Sequence, residues 1–314
     1  MAVKLAFLFP GQGSQAVGMG QDFFEHSERA REMIAAAAER TGIDFEKLLF
    51  EENDRLAQTE YTQPAILLVS AIAHRLFEDA LPIKPVYAMG HSLGEFSALT
   101  AVGALDPVDG VELVNLRGQL MAQACEGQDV GMMVSLGLDD EVVEEICAAQ
   151  REQGAQVWPV NYNAAGQIVI AGLKPDLIVL EPILKEAKAR RALLLDMSVA
   201  SHCPLLESAV DPLSAKLSEM LRDGFAAPVI SNVTAQPYRT KAEALELLPQ
   251  QLVKPVLYKQ AIAANDDAID MYIEFGHGGV LKGLNRRATK KPHYVVQDMV
   301  SLAEAITAVE EMQG

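Results

Sequence analysis

Ser92 stands between two glycines in KPVYAMGHSLGEFSALTAVGAL, residues 84–105. A short apolar run ends at Gly90, and a helix-like apolar pattern opens at Gly94. Strand, sharp turn and helix with GxSxG at the turn is the pattern of a nucleophile elbow. Such a turn strains the serine backbone and lifts its hydroxyl out at the top of a sheet. Side chains at positions 90 and 94 would collide with the neighbouring strand and helix, which is a reason for glycine at both. The N–H of Leu93 then faces the place where an oxyanion would form, and the helix N-terminus adds positive dipole. The chemistry this predicts is nucleophilic acyl transfer through an ester on Ser92.

A serine nucleophile needs a base, and the chain has six histidines. His26 and His74 fall in helical stretches, His293 precedes a C-terminal strand, and His91 adjoins Ser92 at an elbow where neighbouring side chains point apart. His202, in SVASHCPLL after a strand and before a Pro-started helix, is the candidate, because loops at the carboxyl ends of strands gather into sites. The group that orients it stays open. Asp196 and Asp211 are near in sequence, but neither occupies a separate loop between serine and histidine; a backbone or amide carbonyl would serve instead.

In VELVNLRGQLMAQA, Arg117 shares a helix face with Leu113, Leu120, Met121 and Ala124. A guanidinium on an apolar stripe is costly unless an anion meets it. That anion is either an internal carboxylate or, beside a serine nucleophile, the free carboxylate of an acyl substrate. PGQGSQ follows the first strand and formally matches GxGxxA, but no second strand with an acidic end follows at the required distance. Its better use is to present the Gln12 N–H as a second oxyanion donor beside Leu93.

The elements that position these groups read as strands at 5–9, before Ser92 and ending at Gly90, and at 228–233, 271–275 and 294–296, interleaved with helices at 21–40 and 63–79, after the elbow from Gly94, at 109–125, 205–221, 241–252 and 256–264, and from 301 onward. Strands separated by helices predict an α/β fold with a mostly parallel sheet. Between them, strand 131–137, helix 139–150, strands 157–161 and 167–171, helix 174–190 and strand 193–197 give the order βαββαβ, a ferredoxin-like inserted domain. The domain expectation is 1–127 with 198–314 for the large unit and 128–197 for the small one.

With 26 lysines and arginines against 43 aspartates and glutamates, the net charge is −17, which argues against nucleic acid and anionic membranes as partners. The apolar run near 64–73 is too short to span a bilayer, no secretory signal opens the chain, and three cysteines without metal-ligand spacing fit a reducing cytoplasm. Basic residues cluster at Lys185, Lys188, Arg190 and Arg191, and at Lys282, Arg286, Arg287, Lys290 and Lys291.

FPGQGSQ, GHSLGE, the LR of VNLRGQLM, NYNAAGQIVIAG, SVASHC, QLVKPV and GGVLKGL, in this order along nearly the whole chain, resemble the malonyl-CoA:acyl carrier protein transacylase family. The resemblance implies an α/β-hydrolase-like large domain with a ferredoxin-like insertion. It implies a malonyl ester on Ser92, His202 as base oriented by carbonyls, Arg117 on the malonyl carboxylate, and Gln12 and Leu93 as the oxyanion hole. Gln251 would support the site by hydrogen bonding, and Asn163 and Met121 would line the pocket. No cofactor is implied: malonyl-CoA is substrate, and phosphopantetheine belongs to the carrier protein, which would dock near Lys282, Arg286, Arg287, Lys185 and Lys188. His277 stands where the family usually has proline, and VASH replaces the commoner VPSH; neither removes a named chemical group. The competing readings are a serine hydrolase of a carboxylated thioester, the same transfer in a malonate-decarboxylase or polyketide system, and a non-catalytic carrier-binding module.

Overall fold

The computed structural model describes residues 3–197 and 199–313, so the expected domain edge at 198 lies outside the described residues. The strands are β1 (Leu5–Phe9), β2 (Tyr87–Gly90), β3 (Val130–Leu136), β4 (Val157–Ala164), β5 (Gln167–Leu173), β6 (Arg191–Leu194), β7 (Val229–Ile230), β8 (Pro237–Tyr238), β9 (Met271–Phe275) and β10 (His293–Val296). They form a six-stranded sheet in the order β10-β9-β1-β2-β7-β8 and a four-stranded sheet in the order β4-β5-β3-β6. The large sheet is parallel from β10 to β7, with β8 returning antiparallel. Its central strands β1 and β9 are buried along their whole length, as a sheet covered on both faces requires. Under it Phe7, Phe9 and Phe275 pack around the His74 ring, with Phe7 and Phe275 edge to face at 5.0 Å.

The small sheet is antiparallel throughout, with helices Asp140–Glu152 and Lys174–Glu186 as its two crossovers. This is the ferredoxin-like arrangement, set into an α/β-hydrolase-like large domain. The two units are stitched along β4: Tyr162 N–H donates to the Val256 carbonyl at 2.9 Å, and Val256 N–H to the Val160 carbonyl at 2.8 Å.

Several elements differ from the sequence expectation. The helix expected at 21–40 is two helices, Gln21–His26 and Glu28–Thr41, because Ser27 turns extended and caps the second by accepting from the Ala30 N–H. The segment 205–221 begins as a 3-10 turn, Pro204–Ala209, before helix Val210–Met220. The last strand of the small sheet is Arg191–Leu194 rather than 193–197, since its register is fixed by pairing with β3 from Met133↔Leu194 to Leu136↔Arg191. The strand expected at 228–233 shortens to β7, and the chain turns back into β8, with Ala235 at φ 57°. Helices Phe45–Phe50 and Val280–Asn285 carry no expectation from the sequence.

Candidate active site

Parallel pairing sets the site's first contact. Phe9 pairs with Gly90, so the loops leaving β1 and β2 emerge side by side, bringing Gln12 next to Ser92. Ser92 sits at φ 52°, ψ −109°, a strained conformation for a residue with a side chain, worth about 1–3 kcal/mol. The glycines on either side allow it. A Cβ at Gly90 would stand 2.0 Å from the Gly94 carbonyl carbon, and one at Gly94 would stand 2.0 Å from the Phe9 oxygen. Asn232 clamps the turn: its Oδ1 accepts from the Ser92 N–H at 2.7 Å, its Nδ2 donates to the Gly90 carbonyl at 2.7 Å, and its own N–H donates to Glu95 Oε2 at 3.0 Å.

The Ser92 hydroxyl lies 2.8 Å from His202 Nε2, and His202 Nδ1 lies 2.6 Å from the Gln251 carbonyl oxygen. A carbonyl only accepts, so Nδ1 carries the proton and Nε2 offers its lone pair to the serine O–H. Of the orienting groups left open by the sequence, the backbone carbonyl is the one present; neither Asp196 nor Asp211 is a partner of the imidazole. Burial, reinforced by the Arg117 charge, pushes the His202 imidazole down to about 3, so it rests neutral.

Arg117 is almost wholly buried, on helix Pro107–Ala124. It donates to Gln63 Oε1 at 2.7 Å, to Gln251 Oε1 at 3.0 Å and to Ser92 Oγ at 3.2 Å. Its Nε has no partner among the described residues. Among the described residues no carboxylate is hydrogen-bonded or ion-paired to the guanidinium. Glu95 instead accepts from Gln251 Nε2 at 2.7 Å, and burial, opposed by these N–H bonds, pushes its carboxyl up to about 7. Burial also lowers the guanidinium to about 10, against the favourable pull of Glu95. Gln251 thus joins the two charges: one side-chain oxygen toward Arg117, its amide toward Glu95, and its main-chain oxygen toward His202.

These groups face a cavity of about 420 Å³ between the two sheets. Gln12, Leu93, Arg117, Met121 and His202 line it from the large unit, Asn163 from β4, and Met132, Val134 and Val169 supply an apolar wall. Asn163 falls at an irregularity in the β4–β5 ladder between Tyr162 and Ala164, and its Oδ1 lies 2.7 Å from His91 Nε2. Gln251 lies behind the cavity, fully buried. The structure therefore brings together every side chain that the sequence nominated for chemistry. The nominated basic residues are spread out: Lys185 pairs with Glu181 on its own helix, Lys282 and Arg286 border a groove with Tyr294 and Gln297, and Arg287 borders a small cavity beside the main one.

Glu95, Asn232, Gln63 and His91 were not nominated from the sequence as parts of the site. Asn232 had a usable signal, since it follows the carboxyl end of a parallel strand, where sites form. Gln63 sits within helix Thr59–Ala80 with no signal at all. Among the described residues no group of three or more His, Cys, Asp or Glu could hold a metal ion, and no helix is long and apolar enough to cross a membrane.

Residues 6–307 match the acyl transferase domain family. A malonyl CoA-acyl carrier protein transacylase of Haemophilus influenzae is 37% identical over 287 residues, 90% of this chain and 92% of that protein. The crystal structure of malonyl-CoA:acyl carrier protein transacylase from Helicobacter pylori superposes with a TM-score of 0.95 at 45% identity, covering 99% of both chains. A malonyl transacylase solved in complex with its type II polyketide acyl carrier protein superposes at 0.93, with 34% identity over 97% of this chain and 99% of that one. With an acyltransferase family model spanning its length and relatives of this identity and coverage, the chain belongs to the malonyl-CoA:acyl carrier protein transacylase family of acyltransferases.

Proposed function

We propose that the protein moves a malonyl group from malonyl-CoA to the phosphopantetheine thiol of an acyl carrier protein through an ester on Ser92, supplying extender units for fatty acid synthesis in the cytoplasm. The observation that carries the reading is the convergence of Ser92, His202 and a buried Arg117 on one cavity, with the guanidinium 3.2 Å from the serine oxygen. Such a site suits an acyl group that is both a thioester and a carboxylate.

In the first half-reaction Ser92 attacks the thioester carbonyl and His202 Nε2 takes its proton, while the Gln251 carbonyl holds the opposite ring N–H. The N–H groups of Gln12 and Leu93 receive the oxyanion. Collapse breaks the C–S bond, and the imidazolium returns its proton to the departing CoA thiolate. That return is favoured because burial makes the protonated ring a readier acid than a free imidazolium. The second half-reaction runs the same steps with the carrier thiol: it gives its proton to His202, attacks the ester, and Ser92 leaves with that proton. Arg117 holds the malonyl carboxylate throughout, in a pocket that Met121 and Asn163 line. Side chains and backbone amides supply the whole reaction, with no resident cofactor. The carrier protein docks beside the groove bordered by Lys282 and Arg286, with Arg287, Lys185 and Lys188 adding local positive potential against a net charge of −17.

Initial velocities test the reading. Varying malonyl-CoA at several fixed concentrations of holo carrier protein gives parallel double-reciprocal lines; intersecting lines would contradict the shared serine ester. CoA release at an undiminished rate without carrier protein would make water the acceptor. Charge reversal at Lys282 and Arg286 raises the KM for carrier protein and leaves that for malonyl-CoA unchanged; equal effects would place docking elsewhere.

A further inference from the structure

A hydrogen-bond relay runs from Arg117 to Gln12, and its direction is forced at every step. A guanidinium only donates, so the side-chain oxygen of Gln63 faces it, at 2.7 Å. The Gln63 amide nitrogen then points the other way. It donates to Thr59 Oγ1 at 3.0 Å and lies 3.3 Å from Met121 Sδ, which uses both of its protons. The Thr59 hydroxyl, accepting on one side, gives its single proton to Gln12 Oε1 at 3.0 Å. Thr59 and Gln63 are only 3% and 1% exposed, so bulk water does not compete for these bonds.

Local sequence explains how the relay is placed. Thr59 and Gln63 stand four apart at the start of helix Thr59–Ala80 and so share one face of it. That first turn lies flush on helix Pro107–Ala124 because the residue after Arg117 is glycine. A Cβ on Gly118 would stand 2.5 Å from Glu60 Cα and 2.7 Å from the Thr59 carbonyl oxygen. Asn115 Nδ2 donates to the Glu60 carbonyl at 2.7 Å and pins the same contact. At the far end Gln12 stands between Gly11 and Gly13, the latter at φ 106°. Backbone between glycines has wide conformational freedom, so the anchored Gln12 side chain restricts where its own peptide can turn.

We infer that Thr59 and Gln63 are positioning residues that tie the oxyanion donor to the carboxylate anchor and so set the spacing between them. The inference rests on the malonyl-transfer reading above, in which the Gln12 N–H receives the oxyanion and Arg117 holds the free carboxylate. A malonyl group has one methylene between those two ends. Both anchors must therefore stand at a fixed separation when the tetrahedral intermediate forms, and a shift of about 1 Å in either costs on the order of a hundredfold in rate. An acetyl group engages the oxyanion end alone and does not depend on the spacing.

The test is single-turnover acylation of Ser92 at saturating malonyl-CoA and acetyl-CoA. T59V keeps the side-chain shape and removes the hydroxyl that joins Gln63 to Gln12. It slows malonyl transfer by about 10- to 100-fold and acetyl transfer by about threefold or less. T59S, which retains the hydroxyl, stays within about twofold of wild type with both donors. Q12A removes the far end of the same link and keeps the main-chain N–H, so Q12A/T59V is no slower than the slower single variant. The malonyl-to-acetyl ratio is insensitive to a general loss of folded enzyme. Equal losses on the two donors, a T59S variant as slow as T59V, or multiplying losses in Q12A/T59V each overturn the inference, as does T59V at the wild-type rate. If wild type acquires no malonyl ester, the malonyl-transfer reading itself falls and the inference goes with it.

Discussion

Replacing Asn232 by alanine tests how the strained elbow is held. The alanine retains the main-chain N–H to Glu95 but removes the acceptor for the Ser92 N–H and the donor to the Gly90 carbonyl, each bonded at 2.7 Å. Asn232 is only 1% exposed, so both partners are left unsatisfied in a dry environment. At about 1–3 kcal/mol for each orphaned group, N232A loses roughly 2–6 kcal/mol of stability. At about 2–4 °C per kcal/mol for domains somewhat smaller than this one, that lowers Tm by about 4 °C at the least and about 20 °C at the most. Ser92, at φ 52°, is then free to relax and carry Oγ away from His202 Nε2. A displacement near 1 Å costs on the order of a hundredfold in rate, so kcat falls at least about tenfold for malonyl and acetyl donors alike. The KM for malonyl-CoA moves little, because Arg117 is bonded to Gln63 and Gln251 and not to Asn232. Thermal melts with single-turnover acylation at a temperature where the variant is folded provide the assay. A melt within a degree of wild type together with an undiminished kcat would refute the clamp.

Other consequences follow from the same network. R117A lowers kcat/KM for malonyl-CoA by about a hundredfold or more, the worth of a lost bidentate charge-assisted contact, and affects acetyl-CoA far less; equal losses would make Arg117 purely structural. His202, held down to about 3, stays neutral through mildly acid solution, so single-turnover acylation changes less than about twofold between pH 6 and 4.5; a tenfold fall per unit, expected of an ordinary histidine, would contradict the buried, Arg117-facing imidazole. His74 is held down to about 4 by burial among phenylalanines. Below its ordinary value near 6.5 the unfolded chain binds a proton that the folded one refuses, so stability falls as pH falls. H74F therefore removes about 2 kcal/mol of the loss between pH 7 and 5 in urea melts while leaving acylation intact; an unchanged acid sensitivity would show that His74 is not the titrating group.

The chemistry was legible because its carriers sit in local patterns. Ser92 lies between glycines at a strand-to-helix turn, Arg117 interrupts an apolar stripe, and His202 follows the last strand of the inserted unit. The groups that hold them are tertiary. Asn232 reaches Ser92 across 140 positions and Gln251 reaches Glu95 across 156, and neither distance leaves a mark in composition or period. Glu95 illustrates the limit: three residues past Ser92 it reads as an ordinary charge in a helix's first turn, yet it is wholly buried as the counterweight to Arg117. In the fold, the βαββαβ order of the insertion came through because two-residue alternation and helical period switch cleanly there. The misplaced edge of β6 came from an apolar run, 193–195, that continues past the last pair with β3 at Leu194↔Met133. The break at Ser27 had its own signal, a serine ahead of Glu28 with helical period on both sides, which the apolar stripe masked.

The central claim is that one serine carries the malonyl group between two thiols. Intact and peptide mass spectrometry after mixing the enzyme with malonyl-CoA, followed by addition of holo acyl carrier protein, tests it most directly. The account predicts a malonyl adduct on the peptide containing Ser92 that disappears as the same mass arrives on the carrier's phosphopantetheine thiol. An adduct lost to water alone, or folded enzyme that acquires none, would contradict it.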